Sequence, residues 1–181
     1  MILIVGLGNV GGEYIDTRHN VGFHLVDELA KRLELDSFAK QEKFSSEITA
    51  DEELILVKPL TMMNASGKAV QAIKSFYKIK VGDIYVVHDD LDIGLGGYKI
   101  HLGKGPELHN GVNSVIDHLG TGAFWRVRIG VDNRVSEEGV QGERIPGEAY
   151  VLQKFSPEEL SIVIDVVGAA ADDILSQIEE L

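Results

Sequence analysis

The run Met1-Ile2-Leu3-Ile4-Val5-Gly6-Leu7-Gly8-Asn9-Val10-Gly11 decides between two kinds of α/β fold. Ile2 to Val5 is a short apolar run of the kind that forms a buried strand. The glycines after it satisfy the G-x-G-x-x-G spacing of a dinucleotide-binding turn. That fingerprint works only when a helix starts at the glycines, so that its N-terminus meets the pyrophosphate. Here helical spacing begins only at about Val21, with Val21, Leu25, Val26, Leu29 and Leu33 on one face, and Gly12 to His19 intervene. Asp27 and Glu28, the acids at the distance expected for a ribose contact, fall inside that helix instead of at the end of a second strand. An NAD(P)-dependent oxidoreductase is therefore the disfavoured alternative. The loop instead carries Asn9 and His19 over the carboxyl end of the first strand, where open α/β sheets form their crevices.

Working outward, strands and helices alternate with no repeat or linker. Lys43–Thr49 and Leu54–Lys58 predict a hairpin turning through Ala50-Asp51-Glu52. Ala69, Val70, Ile73, Phe76 and Tyr77 predict a second helix, and Ile84–Val87 a buried strand. Gly97–Leu102 predicts another strand, and Asn110 the N-cap of a short helix closed by Gly120. In Trp125–Val131, Trp125, Val127, Ile129 and Val131 share one face and Arg126 and Arg128 the other. Ser156, Pro157 and Glu159 spell a capping box before the stripe Leu160, Val163, Ile164, Val167, Ala171, Ile174, Leu175 and Ile178. The expected architecture is a single three-layer α/β/α domain over residues 1–181, with a central mixed, largely parallel sheet.

The 181 residues, 44% of them hydrophobic, suffice for one core. The absence of cysteine excludes disulfides, thiolate nucleophiles and cysteine-based zinc sites. No basic leader precedes the first strand, and no apolar stretch approaches membrane-spanning length, so a cytoplasmic protein is expected. The formal charge of −12 argues against a nucleic-acid partner only until it is divided. Residues 97–134 carry 5 Lys and Arg against 3 Asp and Glu, whereas residues 135–181 carry 2 against 11. A locally positive stretch from Lys99 to Arg134 survives, and local sign governs docking.

Four polar clusters end the apolar runs: Asn9 with Arg18-His19-Asn20, Met63-Asn64, His88-Asp89-Asp90-Leu91-Asp92, and His109-Asn110. They offer a base, a carboxylate and several amides, without a nucleophile elbow or spaced metal ligands, so the simplest chemistry is water activated by histidine. If the first strand and Ile84–Val87 are neighbours, an aspartate of the third cluster can accept from one nitrogen of His19 and leave the other basic. Plainer readings compete. His19 and Asn110 can be caps, Met63 core, Asn64 a helix-start residue, and the arginines a solvated face. Asp89, Asp90 and Asp92 can be turn residues or oxygen ligands of a divalent cation.

The ensemble closely resembles the bacterial peptidyl-tRNA hydrolase family. The resemblance rests on Val5–Tyr14, Thr17–Gly22, Lys58–Gly67, His88–Asp92, His109–Gly111, Arg126–Gly130 and Tyr150–Phe155, which span nearly the whole chain. It implies hydrolysis of the ester joining a peptide to the 3′-terminal ribose of tRNA, by a monomer without metal or cofactor. It implies further that His19 is the base, Asp89 its orienting carboxylate and Asn9 a donor to the water or the oxyanion. Asn64 and Asn110 would bind the peptide backbone, Met63 would form an apolar wall and Tyr14 would line the crevice. Lys99, His101, Lys104 and Arg128 would meet tRNA phosphates. Departures from the family pattern cluster near the RNA. Glu107 and Leu108 replace small residues, and His101 stands where lysine is common, which predicts weaker or more pH-sensitive docking. Asp132–Gly147 reads as a polar loop. A non-catalytic RNA-binding relative of the same fold is the other alternative.

Overall fold

The computed structural model describes residues 1–106, 108–134 and 145–180; Glu107 and most of the segment 132–147 lie outside them. Among the described residues, seven strands form one sheet: β1 (Ile2–Gly6), β2 (Ala39–Gln41), β3 (Ser46–Ala50), β4 (Leu54–Pro59), β5 (Ile84–Gly94), β6 (Tyr98–Leu102) and β7 (Trp125–Asp132). Their order is β2-β3-β4-β1-β5-β7-β6. The centre β4-β1-β5-β7 is parallel, and antiparallel pairs close both edges. The helices are α1 (Val21–Arg32), α2 (Ser66–Tyr77), α3 (Asn110–Leu119), α4 (Gly147–Val151) and α5 (Pro157–Glu179).

Strand alternation divides the core in two. Ile4, Leu56, Tyr85, Val87, Val127 and Ile129 pack against α1 and α5. Leu3, Val5, Ile55, Val57, Ile84 and Val86 pack against α2 and α3. The sheet is thus covered on both faces, and its central strands read as unbroken apolar runs. β5 extends the expected Ile84–Val87 strand through the His88–Asp92 cluster, pairing with β7 without a break to Asp90 and again, after a register shift, at Gly94. His88, Asp89 and Asp90, which read as part of a turn, are therefore buried inside a sheet, while Asp92 is exposed.

The glycines of the first loop serve packing. α1 starts at Val21, ten residues beyond Gly11, and only a single 3-10 turn, Gly12–Tyr14, follows the glycines, so the α-helix that the dinucleotide reading requires there is missing and that reading fails. A Cβ on Gly22 would meet the Leu7 backbone N and O at 2.5 Å and the Val87 carbonyl at 2.6 Å; one on Gly6 would strike the Gly22 carbonyl. Backbone therefore rests on backbone where α1 crosses β1, with His19 one turn before the contact. In an open helix Gly→Ala would gain about 1 kcal/mol. At Gly22 the rigid clash reverses the sign, and Gly22→Ala is expected to destabilise the fold by about 1–3 kcal/mol, lowering Tm by roughly 3–10 °C. Calorimetry checks it, and an unchanged Tm would mean the contact is looser than described.

The α5 capping box forms as expected: Ser156 Oγ accepts from the Glu159 N–H and the Glu159 carboxylate accepts from the Ser156 N–H. Other details differ. The N-cap of α3 is His109, with Asn110 the first helical residue. Phe76 (58% exposed) and Tyr77 (41%) sit on the surface, because α2 stays on the sheet only through Ile73. On α5, Ile164 is 61% exposed and Val166 is buried in its place, since a straight helix of 23 residues rotates its contact line away from a single stripe. The short edge strand β2 and the short helix α4 have too few residues to show a period.

Candidate active site

β1 and β5 are neighbours, with Gly6 in register with Val87, so the loops after them meet at one rim. His19, in a single 3-10 turn before α1, places Nδ1 2.7 Å from Asp89 Oδ1. The same oxygen lies 2.9 Å from Nε2 of His109. Protons on these rings follow from the helix behind them. His109 Nδ1 accepts the N–H groups of Gly111 (3.1 Å) and Val112 (3.2 Å) at the N-terminus of α3, so it carries no hydrogen. Its proton is then on Nε2 and donates to Asp89. Asp89, an ionised carboxylate between two donors, accepts a hydrogen bond from the His19 Nδ1–H, which leaves His19 Nε2 as a lone pair without a hydrogen bond among the described residues.

Burial alone would lower the pKa of His19, but the Asp89 charge and hydrogen bond outweigh it and hold the value above the ordinary 6.5. The linkage has a definite sign. A histidine raised in the folded state stabilises the fold fully below its unfolded pKa, and this contribution disappears as pH rises through the raised value. Burial would raise Asp89, yet His19 and His109 hold its carboxyl below the usual carboxylate range. Burial pushes neighbouring His88 down to about 3, so it stays neutral and adds no charge beside Asp89.

Asn9 is fixed from both sides. Its backbone N–H donates to Asn20 Oδ1 (2.8 Å), and Asn20 Nδ2 donates to the Asn9 carbonyl (2.9 Å). The Met63 N–H donates to Asn9 Oδ1 at 2.9 Å. Because a backbone N–H can only donate, the Asn9 carboxamide oxygen is committed there, and its NH2 group is the end left for another acceptor. Met63 is buried, its sulfur packed on Gly111, where only hydrogen leaves room. That contact sets the turn carrying Asn64 beside the start of α3 carrying Asn110; both asparagines are exposed, without hydrogen bonds from their side chains among the described residues. Tyr14 is half-buried in the turn Gly12–Tyr14 of the same loop.

The other sequence candidates divide. The pleat sends Asp89 and Asp90 to opposite faces, so Asp89, Asp90 and Asp92 do not converge as a cation site. Asp90 accepts from Arg128 Nε at 2.6 Å, and Gly105 backs directly onto that guanidinium. Arg128 is thus neutralised and largely covered. Lys99, its cross-strand partner, and Lys104 are exposed without an ion pair among the described residues, and His101 is half-buried opposite Arg126. His19, Asp89 and His109 bring three potential metal donors within 4.8 Å of one another. Metal binding there would require His109 to surrender its remaining ring proton while Nδ1 still accepts two N–H groups, and the hydrogen-bonded arrangement avoids that.

Sequence reasoning missed three supports. His109 was visible only as part of a polar cluster, and Asn20 only as a neighbour of His19. The third is Arg18, buried between the Tyr150 and Phe155 rings (4.1 and 5.2 Å from their centroids). It donates to Gln153 and Lys154 carbonyls and to both oxygens of Glu159 at 2.8 and 2.7 Å. The turn bearing His19 is thereby fastened to the start of α5.

A family model described as peptidyl-tRNA hydrolase matches residues 3–180. The peptidyl-tRNA hydrolases of Geobacillus thermodenitrificans and Bacillus cereus are each 42% identical over 174 residues, covering 95% of this chain and 90% of theirs. The crystal structure of peptidyl-tRNA hydrolase from Acinetobacter baumannii superposes with a TM-score of 0.84 at 32% identity, over 99% of this chain and 91% of that one.

Proposed function

Because this chain belongs to the peptidyl-tRNA hydrolase family and hydrolyses peptidyl-tRNA, we propose that His19, Asp89 and Asn9 carry the reaction. His19 Nε2 takes a proton from water as the water oxygen attacks the ester carbonyl. Asp89 steadies the imidazolium that forms, and the Asn9 amide donates to the oxyanion, where a fixed donor helps most because charge appears there only in the transition state. Collapse of the intermediate breaks the bond to the ribose oxygen, which receives the proton from His19, releasing peptide acid and tRNA. The observation that carries this reading is the 2.7 Å contact from His19 Nδ1 to Asp89 Oδ1, an oxygen that His109 Nε2 holds in place at 2.9 Å.

Asn64 and Asn110 bind the peptide main chain, Met63 walls the site and Tyr14 lines its mouth; backbone recognition suits a substrate whose side chains vary. Lys99 and Lys104 meet tRNA phosphates, with His101 beside them, while Arg128 holds the strand through Asp90. The protein works as a monomeric single domain in the cytoplasm, without metal or cofactor, recycling tRNA from abandoned chains. Among the described residues no helix is long and apolar enough to cross a membrane. Asn64→Ala and Asn110→Ala are each expected to raise KM for peptidyl esters by about fivefold to thirtyfold, the loss of one or two hydrogen bonds. The acid limb of kcat should stay in place. A shifted limb with unchanged KM would assign these asparagines to the proton chemistry instead.

A further inference from the structure

Seven of the 17 lysines and arginines of this acidic chain meet a carboxylate among the described residues. Arg18 meets Glu159, Arg32 meets Glu28 and Asp172, Arg128 meets Asp90, and Arg134 meets Asp132. Lys31, Lys40 and Lys58 are paired with Glu28, Glu42 and Asp27. One region concentrates the cations that have no such partner. Residues 54–82 contain Lys58, Lys68, Lys74, Lys78 and Lys80 and no aspartate or glutamate. Of these only Lys58 has a carboxylate partner among the described residues.

Lys74 and Lys78 flank Phe76 and Tyr77 in the chain, and both of these rings are exposed where they pack on the buried ring of Phe44. Phe44, Phe76 and Tyr77 pack edge-on and tilted, with centroids 5.0–6.0 Å apart. Lys43 Nζ lies 3.8 Å from the Phe76 centroid and 4.6 Å from that of Phe44, and it too meets no carboxylate among the described residues. Phe76 keeps 58% of its surface exposed, an unusual state for a phenylalanine that ends a core helix. The cluster is continuous with the crevice. The Ser45 carbonyl accepts from the Leu60 N–H at 2.7 Å, three residues before Met63, and α2 runs from the Met63 turn to Tyr77, about 18 Å along its axis. Lys99 and Lys104 belong to the opposite edge of the sheet.

Unpaired lysines supply the sequence-independent attraction for a phosphate backbone. An exposed aromatic face beside them accepts an unpaired base of any identity. An acidic protein partner would find the same charge but would not call for an exposed phenylalanine ring beside it. We propose that Lys43, Lys74, Lys78 and the Phe76 ring form a second RNA-contacting surface, which grips the tRNA body of the substrate while its 3′ end occupies the crevice. This rests on the peptidyl-tRNA reading and adds a docking face to it.

The test compares two substrates: N-acetylated aminoacyl-tRNA and the same ester on the trinucleotide CCA. The variant K43A/K74A/K78A is expected to raise KM for the full tRNA by about tenfold and to flatten the dependence of log affinity on log salt by about 2–3, between about 50 and 200 mM salt. Its turnover of the trinucleotide ester should match the unmodified protein, which also shows that it is folded. Phe76→Ala should weaken tRNA binding by about fivefold or more without changing the salt slope. Unchanged KM and slope in the triple variant would overturn the proposal and leave the patch to a protein partner; equal losses on both substrates would overturn it by placing the effect in the crevice. If the unmodified protein cleaves neither substrate, the hydrolase reading fails, and uncharged tRNA binding by the triple variant still decides the surface.

Discussion

His19→Ala lowers kcat for N-acetylated aminoacyl-tRNA by about 10²–10⁴, the contribution of a positioned general base, while affinity for uncharged tRNA stays as it was. The separation follows from where the side chain sits. His19 lies beneath the rim with Nδ1 committed to Asp89, and no unpaired lysine of either sheet edge depends on it for its place. Single-turnover hydrolysis and fluorescence anisotropy on the same preparation measure the two quantities. Retained hydrolysis would remove His19 from the mechanism, whereas a parallel loss of tRNA affinity would recast it as a binding residue.

Asp89→Asn is expected to lower kcat/KM by about 10²–10⁴ and to move the pH profile in a stated direction. In the unmodified protein the free base is present only above the His19 pKa, so activity rises with pH through a value above 6.5. Replacing the carboxylate removes the charge that raises that value and leaves the burial that lowers it. The residual activity should therefore rise at lower pH than in the parent. Asparagine also offers an NH2 group that can turn toward His19 and trap the wrong tautomer, which is why the rate falls although the base is free at lower pH. A limb that stays in place would mean that Asp89 is not the group that sets the proton affinity of His19. Thermal unfolding across the same pH range reads the linkage independently, because stabilisation from the charged pair weakens as pH climbs through the raised value.

The parts of this molecule that local chemistry dictates could be read from sequence. Ser156, Pro157 and Glu159 announce α5 because a capping box is complete within four residues. That His19 meets an aspartate of the His88–Asp92 cluster followed from two apolar runs ending in polar clusters, once β1 and β5 lay side by side, and the family resemblance singled out Asp89. What escaped depends on partners far along the chain. Arg128 carried no local sign that Asp90, 38 residues earlier, would neutralise it through cross-strand register. Arg18 gave no hint of Glu159, 141 residues later. His109 was overlooked for another reason: asparagine is the commoner N-cap, so the cap was assigned one position late, and with it went the link between the α3 terminus and Asp89.

The close seating of α1 on β1 gives the molecule a fixed datum. Peptide geometry at that crossing, together with the Arg18–Glu159 clasp on the start of α5, sets the coordinates of the imidazole. Aliphatic residues of the outer helices away from these two contacts can therefore be exchanged in bulk for heat tolerance or solubility while the water's line of approach to the ester stays the same.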